Sequence, residues 1–169
     1  RELFAEGDCF LAEGGAMRGR LEAAGCPPAK VKLHHLGVNL AGIEFRPRSA
    51  ADGPIRFLIC APFREKKGIP YALRALAQAR LARDFVCELE IVGDGPEQGN
   101  IDRVLRETSL GEVTTMRGAL SYPQVLEEIS GCHILLQTSV AARDGDSEGG
   151  APVILLDAQA AGMPVIATR

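Results

Sequence analysis

Tryptophan is absent and aromatic residues make up only 5% of the 169 residues, so the chain is poorly supplied with the ring platforms on which single-stranded nucleic acids stack. Concentrated basic charge is missing too. The 19 lysines and arginines face 22 aspartates and glutamates, a formal net charge of −3, and no cluster offers the basic face that phosphate neutralisation needs. These two shortages argue against a nucleic-acid binder. No stretch approaches the ~18 apolar residues of a membrane-spanning helix, and no basic-then-apolar signal opens the chain. Five cysteines, at 9, 26, 60, 87 and 132, contain no C-x-x-C pair, and Cys60 and Cys87 sit in or beside apolar runs. That is the pattern of reduced, buried thiols in a cytoplasmic protein. Familiar catalytic signatures are also lacking. His34, His35 and His133 have no metal-ligand spacing, no G-x-S-x-G occurs, and Gln98 stands where a dinucleotide fingerprint begun at Gly93 and Gly95 would need glycine.

What is present is the profile of a soluble globular protein, 46% hydrophobic and 24% charged, of a length suited to one domain of roughly 100–200 residues. From residue 54 onward a short apolar run, a Gly- or Pro-containing loop and a segment of helical period repeat in order. The runs are 55–60, 89–92, 113–116, 134–136 and 165–167. Their lack of alternation predicts strands buried on both faces of a parallel sheet. Between them Ile69, Leu73, Leu76 and Ala77, then Ile101, Val104 and Leu105, then Val125, Leu126 and Ile129 recur at helical spacing. This order predicts an α/β, Rossmann-like doubly wound parallel sheet with ligands at the carboxyl ends of its strands. Residues 1–47 read differently, with an apolar run at 9–12, a helical stretch at 17–24, a break at Gly25-Cys26-Pro27-Pro28 and a strand at 31–36. A linker is predicted over 48–53 and a second unit over 54–169.

Four loops follow the strands. In Arg64-Glu65-Lys66-Lys67-Gly68, three cations ahead of a helix start suit a phosphate, and suit equally a solvated turn. Gly93-Asp94-Gly95-Pro96 lets backbone approach a ligand, or simply turns. Gly118-Ala119-Leu120-Ser121 offers backbone groups to a base edge, although packing and capping explain it as well. Asp144-Gly145-Asp146-Ser147-Glu148-Gly149-Gly150 has the D-x-D look of a cation site, and also the look of a solvated acidic loop. Glu148, near a helix start, and Asp157, one helical stretch later, are placed to accept hydrogen bonds from hydroxyls of a polar ligand.

Taken together, Glu65-Lys66-Lys67-Gly68, Ile91-Val92-Gly93-Asp94-Gly95-Pro96, Gly118 and the run from Asp146 to Thr168 resemble the C-terminal domain of family-4 retaining glycosyltransferases, the group 1 enzymes of GT-B fold. The stretch from Gly25 to Pro47 resembles the end of that family's N-terminal Rossmann-like domain and its interdomain crossing, so the chain is expected to be a fragment, with its C-terminal domain incomplete. The form Glu148-Gly149-Gly150-Ala151-Pro152 is similar to members that build bacterial exopolysaccharide. The resemblance implies transfer of a sugar from a UDP-, GDP- or ADP-linked donor with retention, no required cofactor or metal, and an acceptor (sugar, lipid-linked or glycan) held by the N-terminal domain. Peripheral membrane association of the full-length enzyme is left open.

By position, the resemblance implies Lys67 at the diphosphate, Glu148 at the sugar hydroxyls, Asp157 at the ribose, and the backbone of Gly118, Ala119 and Leu120 at the base. Gly93, Gly95, Gly149 and Gly150 would shape the donor site. Three departures stand out. Pro62 occupies the place of the family's second cation, with Arg64 as the nearby substitute; eight residues rather than seven separate Glu148 from Asp157; and Asp157 is one methylene shorter than the usual Glu. Two other readings compete: a nucleotide-sugar epimerase of GT-B architecture, and a non-catalytic nucleotide-sugar-binding module. Lost covering helices are expected to leave apolar surface near the ends of the sheet.

Overall fold

A computed structural model describes residues 2–49 and 53–168. Arg1, Arg169 and the part of the predicted linker at 50–52 lie outside the described residues. The chain opens with α1 (Glu2–Glu6), β1 (Phe10–Ala12), α2 (Gly15–Ala23) and β2 (Val31–Leu33). β1 and β2 pair in parallel, Phe10 opposite Val31, over a small core of Ala12, Cys26 and Val31 flanked by Phe4, Phe10, Met17 and Leu21. The strand expected at 31–36 ends at Leu33 because β1 offers a ladder of only three residues, and His34 N–H closes it on the Ala12 carbonyl.

The main sheet follows. Its elements are β3 (Ile55–Cys60), α3 (Ile69–Arg83), β4 (Cys87–Val92), α4 (Gln98–Glu107), β5 (Thr114–Gly118), α5 (Tyr122–Gly131), β6 (Ile134–Gln137), α6 (Val153–Ala160) and β7 (Val165–Ala167). All five strands are parallel, in the order β5-β4-β3-β6-β7. The period of two divides the apolar residues between the sheet's faces. Phe57, Ile59, Leu89, Ile91 and Leu136 pack under α3 and α4, whereas Leu58, Val92 and Leu135 pack with Ile129, Ala158 and Ala161 of the α5 and α6 side. Burial on both faces therefore holds for the middle of β3 and for β6, whereas β4 alternates, with Glu88 exposed and Glu90 part-buried opposite the face of Leu89 and Ile91.

It does not hold for β5. That strand lies at the sheet's edge, so Thr115, Met116 and Arg117 are exposed and Arg117 pairs with Glu90 and Glu128 at 2.8 and 3.2 Å. It also starts at Thr114 rather than at 113, because Gly111–Val113 is a 3-10 turn whose Val113 N–H bonds the Leu110 carbonyl. At the other edge Ile166 of β7 is exposed beside an apolar cleft of about 240 Å³ shared with Phe57, Leu76 and Phe85.

Residues 46–48 cross the ends of two helices. Arg46 N–H donates to the Ala161 carbonyl at 3.1 Å, and the Arg48 guanidinium donates to Ser130, Ile129 and Ala161 carbonyls at 2.7, 3.0 and 3.4 Å. A cation is favourable there because the last carbonyls of a helix carry its negative dipole end. His133 ties β6 to β3: its Nδ1 accepts from Arg56 N–H at 2.9 Å while its own backbone N–H donates to the Arg56 carbonyl at 2.7 Å. No helix among the described residues is long and apolar enough to cross a membrane.

Sheet order fixes where a ligand can enter. The chain runs outward from β3 through β4 to β5, then returns to the other flank of β3 with β6 and β7. β3 and β6 pair only at Phe57 with Ile134 and Leu58 with Leu135, so their carboxyl ends stand free of the ladder. This reversal is the topological switch point, where open α/β sheets bind ligands.

Candidate functional site

Two loops meet over that crevice, and they meet through main chain. After β3, Arg64 leads into a 3-10 turn, Glu65–Lys67, that stops at Gly68 in the left-handed region (φ 61°) before α3. A Cβ on Gly68 would stand 1.8 Å from the Thr138 carbonyl oxygen, so only glycine permits this contact. The Thr138 hydroxyl donates to the Gly68 carbonyl at 3.0 Å, and Val140 N–H donates to the Lys66 carbonyl at 2.8 Å. Three ion pairs lace the same loops: Arg143 to Glu65 at 3.4 Å, Lys66 to Asp146 at 3.1 Å, and Lys67 to Glu148 at 2.5 Å.

The third pair is the most enclosed, with the side chains of Lys67 and Glu148 13% and 23% exposed. Glu148 Oε1 also accepts from the Ser139 hydroxyl at 2.9 Å, which accepts in turn from Gln137 Nε2 at 2.9 Å. Gln137 is buried at the end of β6, and the Thr168 hydroxyl donates to the Ser139 carbonyl at 2.5 Å. These side chains open onto a cavity of about 300 Å³ lined by Gln137, Ser139, Ser147, Glu148, Pro152 and Thr168. Chemically, the arrangement presents one cation, one carboxylate and several hydroxyl and amide groups in a polar recess. That set can hold an anion beside a hydroxyl-rich ligand.

The structure thus brings together Lys67 and Glu148, 81 residues apart. Arg64 is exposed, with no side-chain hydrogen bond or ion pair among the described residues. Gly93 (φ 136°) and Gly95 are accounted for by the chain itself: Cβ atoms there would lie 2.0 Å from the Ala61 carbonyl oxygen and 2.7 Å from the Phe63 carbonyl oxygen. Gly118 bonds Gly93 N–H through its carbonyl at 2.8 Å, Ala119 is exposed, and Leu120 packs on the α5 and α6 side. Gly149 and Gly150 lie against Met17 and Glu13 of the N-terminal segment. Asp157 is bonded to neither Lys67 nor Glu148; its Oδ1 accepts from the Tyr122 hydroxyl at 2.9 Å. Asp144 accepts from Asp146 N–H at 2.9 Å, and Asp146 is engaged by Lys66, so both carboxylates of the D-x-D already have partners. Among the described residues, no three His, Cys, Asp or Glu side chains form a metal-holding group.

Sequence reasoning missed Gln137, Ser139, Tyr122 and Thr168. One signal was available for Gln137 and Ser139: a polar residue ending a buried apolar strand must find a partner.

Comparison with known proteins follows the same geometry. The family model described as glycosyl transferases group 1 matches residues 43–169. A putative colanic acid biosynthesis glycosyltransferase, WcaL of Salmonella typhimurium, is 31% identical over 168 residues, 99% of this chain and 41% of that protein. The amylovoran biosynthesis glycosyltransferase AmsK of Erwinia amylovora is 29% identical over 168 residues, 99% of this chain and 40% of that protein. The chain therefore spans about two fifths of the length of these curated relatives. Among solved structures, the lipopolysaccharide outer core galactosyltransferase WaaB in apo form superposes with a TM-score of 0.73 at 25% identity, covering 95% of this chain and 43% of that one. Anabaena HepE in complex with UDP and glucose gives 0.77 at 16% identity, covering 98% and 45%, a likeness of fold. These likenesses agree with the expected α/β, GT-B fold class.

Proposed function

The chain belongs to the group 1 glycosyl transferases, and from that premise we propose that it forms the donor-binding half of an enzyme that transfers a sugar from a nucleotide-sugar, with retention, in exopolysaccharide assembly. The observation that carries this reading is the Lys67 and Glu148 pair at the switch point between β3 and β6.

Sugar transfer breaks the bond between the anomeric carbon and a diphosphate oxygen, so negative charge develops on the leaving diphosphate. Lys67 stabilises that charge once it exchanges Glu148 for the diphosphate, and the part-enclosed recess strengthens the attraction. Glu148 accepts hydrogen bonds from the sugar hydroxyls and orients the ring, while Ser139 and Gln137 hold its carboxylate in place. The nucleoside lies toward the turn of Gly118, Ala119 and Leu120 and the face of α6 that carries Asp157. Arg64, free on the surface, supplies the second cation where Pro62 cannot. The acceptor is held by a separate domain of the longer enzyme. On this reading binding needs no metal, in keeping with the partners that Asp144 and Asp146 already have within the protein. Free thiols at all five cysteines suit a cytoplasmic setting.

Calorimetric titration of this chain with UDP-, GDP- and ADP-sugars tests the reading. Binding of one nucleotide class, unchanged by EDTA and lost in Lys67→Ala, is expected. No binding to any of them, or binding indifferent to Lys67, sinks it; an epimer recovered from the incubated sugar would assign the epimerase reading instead.

A further inference from the structure

Asp157 is 3% exposed, on the fifth residue of α6, facing the carboxyl end of β3 closely enough to help raise the Cys60 thiol. A carboxylate so placed, and one methylene shorter than glutamate, is withdrawn from a ligand in the crevice. Its one side-chain hydrogen bond among the described residues goes to Tyr122, the first residue of α5, which follows directly on the turn at Gly118. Tyr122 is the opposite case. It is 48% exposed and belongs to neither apolar cluster, so its ring is offered to solvent while its hydroxyl is fixed by a buried acceptor.

We propose that Tyr122 is the residue that meets the nucleoside of the donor, its ring stacking on the base, and that Asp157 acts behind it as a positioning residue. The inference rests on the donor-binding reading above and names the residue that gives the nucleoside its grip. Three physical points support it. A hydrogen bond to a carboxylate is about twice as strong as one between neutral groups, so the phenol is held in one orientation before any ligand arrives. Preorganised rings lose little freedom on binding, which is how aromatic anchors gain affinity. The phenol also stays protonated, because its bond to Asp157, with lesser contributions from burial and the nearby negative charge, raises its pKa above 10. A neutral ring meets the base without repelling the adjacent diphosphate.

The test is calorimetry on the whole chain with two probes, UDP and inorganic pyrophosphate, alongside an absorbance titration of the tyrosines. Tyr122→Ala is expected to weaken UDP about tenfold or more, the scale of a lost base-stacking contact, and to leave pyrophosphate binding as in the wild type. Tyr122→Phe and Asp157→Asn are expected to weaken UDP by similar, smaller factors of about two to five, and the double variant no further, because both remove the same anchor. In Asp157→Asn the Tyr122 transition is expected to move down toward the ordinary tyrosine value. UDP binding unchanged in Tyr122→Ala would overturn the proposal while leaving the donor-binding reading intact. So would additive losses in the double variant, which would mean that Asp157 touches the ligand itself. Failure of the wild type to bind either probe overturns the donor-binding reading, and this inference with it. Tyr122→Phe keeps the ring's volume, so the comparison survives if the alanine variant fails to fold.

Discussion

Glu148→Gln should tighten the binding of UDP, although it alters a residue of the site. In the free protein Lys67 is occupied: Glu148 lies 2.5 Å away, and both side chains are largely enclosed. Two unit charges about 4 Å apart attract by about 4 kcal/mol at an effective dielectric of ~20, and desolvation returns most of this. The net value falls between the ~0.2–1 kcal/mol of exposed pairs and the ~1.5–3 kcal/mol of hydrogen bonds to charged groups, so about 1 kcal/mol is reasonable. Lys67 gives up that amount when it turns to a diphosphate. Removing the Glu148 charge restores it, an affinity gain of about fivefold for UDP. Lys67→Met acts in the opposite direction. It removes a charge-assisted bond to the diphosphate worth ~1.5–3 kcal/mol, a loss of roughly 10- to 150-fold. A sugar on the nucleotide reverses part of the first effect, because a neutral amide in place of the carboxylate is a poorer acceptor for its hydroxyls. The measurement is titration calorimetry of both variants and their double mutant against UDP and a UDP-sugar. The reasoning is refuted if Glu148→Gln weakens UDP as much as Lys67→Met does.

Gly68→Ala should cost at least ~2 kcal/mol, since a side chain at φ 61° is strained and its Cβ would meet the Thr138 carbonyl oxygen at 1.8 Å. Thermal unfolding should fall by roughly 5 °C or more, and a shift under about 2 °C would contradict the contact. The His133 pKa is lowered from 6.5 by burial first, then by Arg56 and Arg48. The folded chain therefore resists a proton that the unfolded chain accepts, and stability should decline as pH falls through 6.5 toward the folded value. Urea midpoints at neutral pH and near pH 5 should differ less in His133→Gln than in the wild type; equal differences would remove His133 as the cause. Burial pushes the Cys60 thiol up to about 11 and Cys132 to about 12, whereas Cys9 is exposed. Mild alkylation at neutral pH should then label Cys9 first, and rapid labelling of the half-buried Cys60 or the buried Cys132 would contradict their raised pKa values.

The sheet and half of the site were open to reading because they are local properties. Phe57–Cys60 is a continuous apolar run whatever surrounds it, and Lys67 and Glu148 sit in motifs with their own spacing. What could not be read depends on sheet order and on distant partners. The exposure of Met116 follows from β5 being an edge strand, which nothing in Thr114–Gly118 announces. Tyr122 and Asp157 are 35 residues apart, so their bond exists only once α5 and α6 lie side by side. Scarce aromatics argued against stacking platforms in general, yet one exposed ring with a fixed hydroxyl is enough for a single base. Each of the three ion pairs between residues 65–67 and 143–148 joins charges that would otherwise pass for solvated turns.

Arg48 has mechanical meaning. Its guanidinium grips the closing turns of α5 and α6, while the Tyr122 and Asp157 bond joins the first residue of α5 to the middle of α6. Fastened at two separated points, α5 and α6 are tied to each other and to the crossing segment at residues 46–48. A movement of residues 46–48 is therefore expected to carry Tyr122 with it, because both are tied to the same pair of helices.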